Sequence, residues 1–290
     1  MTVCNNCPRR CNVDRRKAVG FCGMPEKVEI AKAGLFKWEE PCVSIGAGSG
    51  AIFFTGCNLK CVFCQNWELS SNHVGKKIGI QQLANIFKKL EESGAQNINL
   101  VSPSHYYKQI IEALKIYRPS IPIIYNSNGY DSVESIAELK DYIDVFLVDI
   151  KYVDANLSSR LSHASDYFSV AEKALTQMLK NQPRIVMQNG AIKKGVIVRH
   201  LVLPNHTDDS IKVLEYLSNY RSQILLSIMS QYTPVYKASE HADINRKLKP
   251  IEYKHVVDKA RQLGFENGYI QDFASSDCQF IPSWDFEGVE

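Results

Sequence analysis

No stretch of the sequence is apolar enough and long enough to cross a bilayer as a helix, and neither an internal repeat nor a low-complexity tract is present. These absences argue against a helical membrane protein, a solenoid and a disordered chain. The opening, Met1-Thr2-Val3-Cys4-Asn5, has neither the basic start nor the apolar core of a secretory signal. Charge of one sign is scarce too: 34 basic residues face 31 acidic ones, a net charge of +3 that points to neither nucleic acid nor a membrane surface as partner. One local exception, Arg9, Arg10, Arg15, Arg16 and Lys17, lies among cysteines and reads as solvated surface around a metal knuckle. Apolar residues, in contrast, make up 45% of the 290, enough for a sizeable core and ordinary for a single α/β barrel. Nine cysteines without an export signal favour metal ligation in a reducing cytoplasm over disulfides, so the expected location is cytoplasmic.

Three of those cysteines carry the most information. Cys57, Cys61 and Cys64 follow the apolar run Ala51-Ile52-Phe53-Phe54 with the spacing C-x3-C-x2-C, and no fourth cysteine is near. Each iron of a four-iron cubane normally takes one thiolate. Three protein thiolates therefore leave one iron free for a substrate or cofactor, as catalytic zinc sites keep a position open and structural ones do not. The alternative is a closed zinc site completed by a distant ligand. Nearer the start, Cys4, Cys7, Cys11 and Cys22 form C-x2-C-x3-C-x10-C, four thiolates that suit either zinc or an auxiliary iron–sulfur cluster. Zinc would fold a small knuckle that has no core of its own; a second cluster would relay electrons or bind substrate. Cys42 and Cys278 stand alone and read as small buried hydrophobes.

Beyond residue 50 apolar runs alternate with amphipathic segments. Strands are expected at 51–56, 97–102, 122–127, 145–150, 196–203 and 223–229, with a final extended piece at 268–271. Helices are expected at 81–92, 105–117, 132–139, 170–180, 208–218 and 253–263. Leu83, Ile86, Phe87 and Leu90 make one helical stripe. Val145-Phe146-Leu147-Val148-Asp149-Ile150 has the near-continuous apolar pattern of a strand buried on both faces. This alternation predicts a parallel sheet with right-handed crossovers, an α/β fold of six main repeats. The division expected is a cysteine-rich segment, 1–48, followed by a barrel with a C-terminal extension, 49–290.

The loop Thr55-Gly56-Cys57-Asn58-Leu59-Lys60-Cys61-Val62-Phe63-Cys64-Gln65-Asn66, with the aromatic Phe63 between its last two cysteines, resembles the signature of the radical S-adenosylmethionine (radical SAM) superfamily. Cys64-Gln65-Asn66-Trp67-Glu68, Val148-Asp149-Ile150-Lys151 and Arg199-His200-Leu201-Val202-Leu203-Pro204 are similar to the pyruvate formate-lyase activating enzymes. Cys7-Pro8-Arg9-Arg10-Cys11 and Phe280-Ile281-Pro282-Ser283-Trp284-Asp285 look most like an uncharacterised activating-enzyme-like branch. The likeness spans nearly the whole chain. It implies a partial (β/α)6 TIM-like barrel and a [4Fe-4S] cluster on Cys57, Cys61 and Cys64 whose open iron chelates the amino and carboxylate groups of S-adenosylmethionine. It further implies one-electron reduction by a donor such as flavodoxin or ferredoxin, release of methionine, and a 5′-deoxyadenosyl radical that abstracts hydrogen. In the activating-enzyme case the hydrogen comes from a glycine of a partner protein. Modification of a small molecule or another peptide, and a non-catalytic iron–sulfur sensor, are the alternatives.

Functional loops of parallel α/β folds lie at the C-terminal strand ends, which nominates further residues. Phe63 and Asn66 flank the cysteines. The second strand ends in Val101-Ser102-Pro103-Ser104-His105, where many superfamily members carry Gly-Gly-Glu to hold the amino group; here that role falls to Ser102, Ser104 or backbone carbonyls, with His105 a candidate on the substrate side. Asn126, Ser127 and Asn128 are short polar groups suited to ribose hydroxyls and a carboxylate, or to ordinary turn chemistry. Asp149 and Lys151 point to one face because side chains alternate along a strand, and by resemblance face the cofactor pocket. Arg199 is placed either to clamp the methionine carboxylate through two parallel hydrogen bonds or to point outward to solvent. Met229-Ser230-Gln231-Tyr232 is a candidate floor for adenine or substrate, with Met229 itself read as core. His73, His105, Tyr130 and Tyr232 are candidates for the substrate mouth.

Overall fold

The structure, a computed structural model, describes residues 3–273 and 283–289. Cys278 and the Phe280-Ile281-Pro282 part of the closing motif lie outside the described residues. The elements run β1 (Val28–Phe36), β2 (Ser49–Phe54), α1 (Trp67–Ser70), β3 (Lys76–Ile78), α2 (Ile80–Glu92), β4 (Ile98–Val101), α3 (Tyr107–Ile116), β5 (Ile123–Ser127), α4 (Val133–Glu138), β6 (Val145–Asp149), α5 (Ala155–Ser162), α6 (Tyr167–Asn181), β7 (Val186–Gln188), β8 (Ala191–Leu201), α7 (Thr207–Leu217), β9 (Ile224–Met229), α8 (Pro250–Gln262) and β10 (Gly268–Ile270).

One sheet follows the order β10-β9-β8-β6-β5-β4-β2-β1-β3, with β7 paired to β8 outside that path. From β2 to β10 along this path every pairing is parallel, while β1 pairs antiparallel with both β2 and β3. The six expected strands thus stand side by side in chain order. The path ends at β3 and β10 rather than closing on itself, the topology of a partial TIM-like barrel. β1 was not anticipated, and it lies inside the 1–48 segment: residues 28–36 of that segment belong to the sheet. Its sequence, Val-Glu-Ile-Ala-Lys-Ala-Gly-Leu-Phe, carries no sustained alternation because four consecutive residues, Val28 to Ala31, are buried while the rest is mixed. Helix α5 was missed as well; it has only eight residues, although Asp154 caps it by accepting the Leu157 amide at 2.8 Å.

Both faces of the sheet are apolar, which explains the continuous pattern of β6. Phe146 and Val148 join Ile52, Leu100, Tyr125, Val198 and Ile228 in the large core shared with the helices. Val145 and Leu147 turn the other way and pack with Ile124, Ile197 and Leu225 in a second cluster that also contains Cys42 and Val43. That second cluster is the floor of the barrel lumen. Because β1 runs antiparallel to β2, its end delivers the chain to the N-terminal ends of the parallel strands. There a turn closes with the Val43 amide on the Glu40 carbonyl at 2.7 Å, and the Ile192 amide anchors it on the Cys42 carbonyl at 3.0 Å. One rung above the floor, on the same strand faces by the two-residue alternation, stand Asn126, Asp149, Arg199 and Ser227.

Candidate active site

The cysteine loop begins where β2, buried throughout, runs out. Gly56 makes the exit turn with φ +84°, and a Cβ there would meet Met24 Cγ at 2.3 Å and the Cys22 carbonyl oxygen at 2.8 Å. Only glycine fits that approach. The loop is then pinned by the Val62 amide on the Leu161 carbonyl at 2.9 Å and by the Cys64 amide on the Cys61 carbonyl at 3.1 Å. Each sulfur faces hydrogen-bond donors. The Asn128 amide donates to Cys57 Sγ at 3.3 Å, and so does the Leu59 amide at 3.4 Å. Ser162 Oγ lies 2.9 Å from Cys61 Sγ, and Ser70 Oγ donates to Cys64 Sγ at 3.4 Å. Burial, reinforced by the neighbouring cysteines, pushes the Cys64 thiol up to about 12 and also raises Cys61.

The three cysteines, Phe63 and Asn66 line one cavity of about 510 Å³, within the ~300–1,000 Å³ range of ligand sites. Ser102, Asn126, Asn128, Asp149, Lys151 and Arg199 share its wall. Two buried thiols and a partly buried third, ringed by N–H and O–H donors and opening onto a polar cavity, fit a [4Fe-4S] cluster with one free iron and a zwitterionic ligand beside it.

Around the cavity the strand ends are fastened together. The Tyr167 hydroxyl sits 2.9 Å from the Asn128 carbonyl oxygen and 2.8 Å from that of Asp149, and accepts the Lys151 amide at 3.1 Å. Gly129, at φ +82°, lets β5's exit turn press on β6: a Cβ would stand 2.3 Å from the Asp149 carbonyl oxygen. Ser102 holds φ +58°, a left-handed conformation unusual for serine, with its amide on the Asn126 carbonyl at 2.9 Å. Lys151 Nζ donates to Asp149 Oδ2 at 2.6 Å, and although burial works against its charge, Asp149 holds the ammonium above its usual range.

Several nominated residues turn elsewhere. Ser104 is buried and does not line the cavity; it hydrogen-bonds Asp131, a fully buried carboxyl that also takes Tyr125 at 3.0 Å and Ser127 at 2.6 Å. An unsatisfied carboxyl there would be costly, so the donors serve Asp131. His105 is buried too, with Nε2 2.7 Å from the Thr55 carbonyl oxygen, and burial pushes its pKa down to about 3. Tyr130 donates to Asp166 and Tyr232 to the Ile244 carbonyl, while the His73 ring covers Gly23; none of the three lines the cavity. Met229, read as core, does line it, along with Gln231. Asn128 is engaged by Cys57 and by Asn58 Oδ1 at 2.8 Å, so it braces the cysteine loop.

Arg199 neither reaches a free anion nor faces solvent. Its Nε donates to Glu40 Oε1 at 2.6 Å and its Nη2 to Glu40 Oε2 at 2.6 Å, with a further contact from Nη2 to Glu39. Glu39 and Glu40 were not anticipated as site residues. They lie outside every strand, and the only local signal was two adjacent carboxylates before Pro41. Ser162, also missed, was detectable only once α5 was assigned.

The N-terminal cysteines gather: burial pushes the Cys7 thiol up to about 12, and Cys22, Cys4 and Cys11 each lie close enough to add to that rise. Among the described residues no three His, Cys, Asp or Glu side chains converge on a single ion position. This segment packs behind the cysteine loop. Arg9 Nε donates to the Asn58 carbonyl at 2.8 Å and Nη1 to that of His163 at 2.6 Å, with its guanidinium over the rings of Phe21 and Tyr130. The basic cluster is thus not simply solvated: Arg15 is buried and donates to the Met24 carbonyl at 3.1 Å and the Pro25 carbonyl at 2.6 Å.

Comparison with known proteins agrees with this geometry. The chain is 32% identical over 273 residues to the uncharacterized protein MJ0674 of Methanocaldococcus jannaschii, covering 91% of this chain and 75% of that one. It is 22% identical over 234 residues to the pyruvate formate-lyase-activating enzyme of Clostridium pasteurianum, covering 76% and 89%. Among solved structures, methylornithine synthase overlays with a TM-score of 0.48 at 13% identity, over 74% of this chain and 68% of that one. The Radical SAM superfamily description matches residues 51–217, more than half of the sequence and the whole of the cysteine loop. The chain belongs to the radical SAM superfamily.

Proposed function

We propose that this protein is an enzyme that binds a [4Fe-4S] cluster on Cys57, Cys61 and Cys64, and S-adenosylmethionine beside it in the barrel lumen. When bound, that pair supplies a reductively generated 5′-deoxyadenosyl radical that takes hydrogen from a substrate. The observation that carries the reading is the single cavity shared by all three cysteines and the polar strand ends. Asn128, Leu59, Ser162 and Ser70 orient the thiolates and offset their charge. Ser102, Asn126 and the Asp149–Lys151 pair offer donors and acceptors to a zwitterionic ligand. Phe63, packed on Tyr232 with ring centroids 5.8 Å apart, and Met229 keep water from the reacting region. A flavodoxin- or ferredoxin-type protein supplies the electron.

Likeness to a pyruvate formate-lyase-activating enzyme supports a glycine of a partner protein as the hydrogen donor. A second reading, a small molecule or a peptide side chain, is favoured by the charged groups that line the lumen beyond the cysteines. At the N-terminus, Cys4, Cys7, Cys11 and Cys22 are proposed to hold a second metal, zinc or an auxiliary cluster, that stiffens the segment backing the cysteine loop.

The test is electron paramagnetic resonance on anaerobically reconstituted, dithionite-reduced protein. A [4Fe-4S]⁺ signal that changes shape when S-adenosylmethionine is added supports the reading; a signal indifferent to S-adenosylmethionine contradicts it. Metal analysis of a Cys4→Ala/Cys7→Ala protein identifies the second metal, with loss of zinc alone ruling out an auxiliary cluster.

A further inference from the structure

Positive groups from four segments meet on the side of the cysteine loop that faces away from the lumen. They are Arg9, Lys60, His163, and the pair Lys237 and His241, and none of them lines the cavity. Lys60 directly precedes Cys61. The Lys237 amide donates to the carbonyl of Val62, just after Cys61, at 2.9 Å. Arg9 spans the Asn58 and His163 carbonyls at 2.8 and 2.6 Å. His163 is exposed at the end of α5, and beyond its partial burial the charges that depress its pKa most are Arg9, Lys237, Lys60 and His241, all of one sign. Lys60 and Lys237 lie over the Phe21 and Tyr236 rings at 5.4 and 5.5 Å, and among the described residues neither forms an ion pair. Acids of the same segments are engaged elsewhere: Asp243 by Arg160 and His206, Asp166 by the Tyr130 hydroxyl. Glu240 is exposed one turn beyond Lys237 without pairing to it.

A second observation is apolar. Phe21 is half-buried, with the Arg9 guanidinium 3.9 Å from its ring centroid, and Val19 close by in sequence is 53% exposed. Tyr236 stacks on Trp67, three residues beyond Cys64, with centroids 5.3 Å apart. Aromatic groups inside a rim of cations have the anatomy of a protein-docking face.

Position selects the partner. Substrate and S-adenosylmethionine belong to the lumen, which these residues do not line. Electron transfer weakens steeply with distance, and a protein seated here reaches the cysteine loop without entering the lumen. We propose that this face docks the electron donor, a small acidic protein carrying a reduced flavin or iron–sulfur group. The donor loses one electron and the [4Fe-4S]²⁺ cluster gains it, becoming [4Fe-4S]⁺. Weak redox encounters use small charged surfaces, where attraction steers association more than it holds the complex. This assignment locates the partner's face for the reading above and rests on it.

An acidic flavodoxin and reduced methyl viologen, a small cationic reductant, are the probes. Biolayer interferometry of flavodoxin on reconstituted protein reads binding, and stopped-flow absorbance reads cluster reduction by flavodoxin hydroquinone or by the viologen. Both flavodoxin readouts should weaken at least about tenfold between about 50 mM and about 500 mM salt. Lys60→Gln/Lys237→Gln should weaken both roughly tenfold at low salt, while the viologen reduces the variant as fast as the unaltered protein or faster. Flavodoxin binding and reduction indifferent to salt or to the double substitution overturn the proposal. So does an equal loss with both reductants, which would mean that the lysines act on the cluster rather than at a docking face. Should the double variant not fold, Lys237→Gln alone and the salt dependence of the unaltered protein decide. Unaltered protein that holds no reducible cluster, seen before any donor is added, would sink the underlying reading instead.

Discussion

Lys151 Nζ lies 2.6 Å from Asp149 Oδ2 at the C-terminal end of β6, and both side chains are largely buried beside Cys61. The pair is half of the cavity's electrostatic balance, so removing one member leaves the other's charge without its partner. Lys151→Met is expected to destabilise the fold by about 2 kcal/mol, below the ~3–5 kcal/mol of a fully buried pair because solvent still reaches this one. The Asp149→Asn/Lys151→Met double variant should recover part of that loss. Urea denaturation of the single and double variants measures the difference; additive losses would contradict a direct interaction.

Gly129 connects two strand ends that must meet for the cavity to exist. Alanine there would carry the left-handed φ of +82° and place Cβ 2.3 Å from the Asp149 carbonyl oxygen. The conformational cost alone is roughly 1–2 kcal/mol. Gly129→Ala should therefore lower the thermal midpoint and weaken S-adenosylmethionine binding together, because relief of the clash moves Asp149. Unaltered binding affinity in a destabilised variant would show that the β5–β6 contact is structural only.

Ser162 Oγ bridges Cys61 Sγ at 2.9 Å and the Tyr152 hydroxyl at 3.0 Å. Hydrogen bonds to cluster sulfurs favour the reduced, more negative state and so raise the reduction potential. Ser162→Ala is expected to make the cluster harder to reduce, read as a more negative midpoint in a potentiometric titration. An unchanged midpoint would mean that Ser162 serves Tyr152 rather than the sulfur.

Far from the lumen, Arg246 holds Glu252 at the start of α8. Glu252 also accepts the Asn205 amide and the Lys249 amide. These partners, Arg246 first, lower its carboxyl from 4.5 to about 2. A depressed folded-state pKa means the stabilisation is complete above the unfolded value near 4.5 and is lost as pH falls toward 2. At about 1.4 kcal/mol per unit, reduced for a partly exposed pair, the contribution is about 2 kcal/mol. Glu252→Gln should lower stability at pH 7 and flatten its pH dependence between those limits, measured by chemical denaturation across the range.

What was legible in the sequence follows from locality. β6 was readable because both of its faces are buried, giving an unbroken apolar run, and α2 because its stripe repeats at helical spacing. The cysteine loop was readable because its three cysteines fall within eight residues. Arg199 was nominated from its strand as a carboxylate clamp or a surface group and is found on the cavity wall, yet its partners Glu39 and Glu40 lie about 160 positions earlier and no local pattern connects them. Position after a strand also overreached. Ser104 and His105 follow β4, but the buried Asp131 claims the first and the Thr55 carbonyl the second. Such long-range claims by buried polar groups are settled by packing alone.

The central claim is that Cys57, Cys61 and Cys64 form the reactive centre of a radical SAM enzyme. Anaerobic incubation of reconstituted, dithionite-reduced protein with S-adenosylmethionine, followed by chromatography for 5′-deoxyadenosine, tests it most directly. Release of 5′-deoxyadenosine by the unaltered protein and its loss in Cys61→Ala is the predicted result. No 5′-deoxyadenosine from the cluster-loaded protein, or full cleavage by Cys61→Ala, would contradict the account.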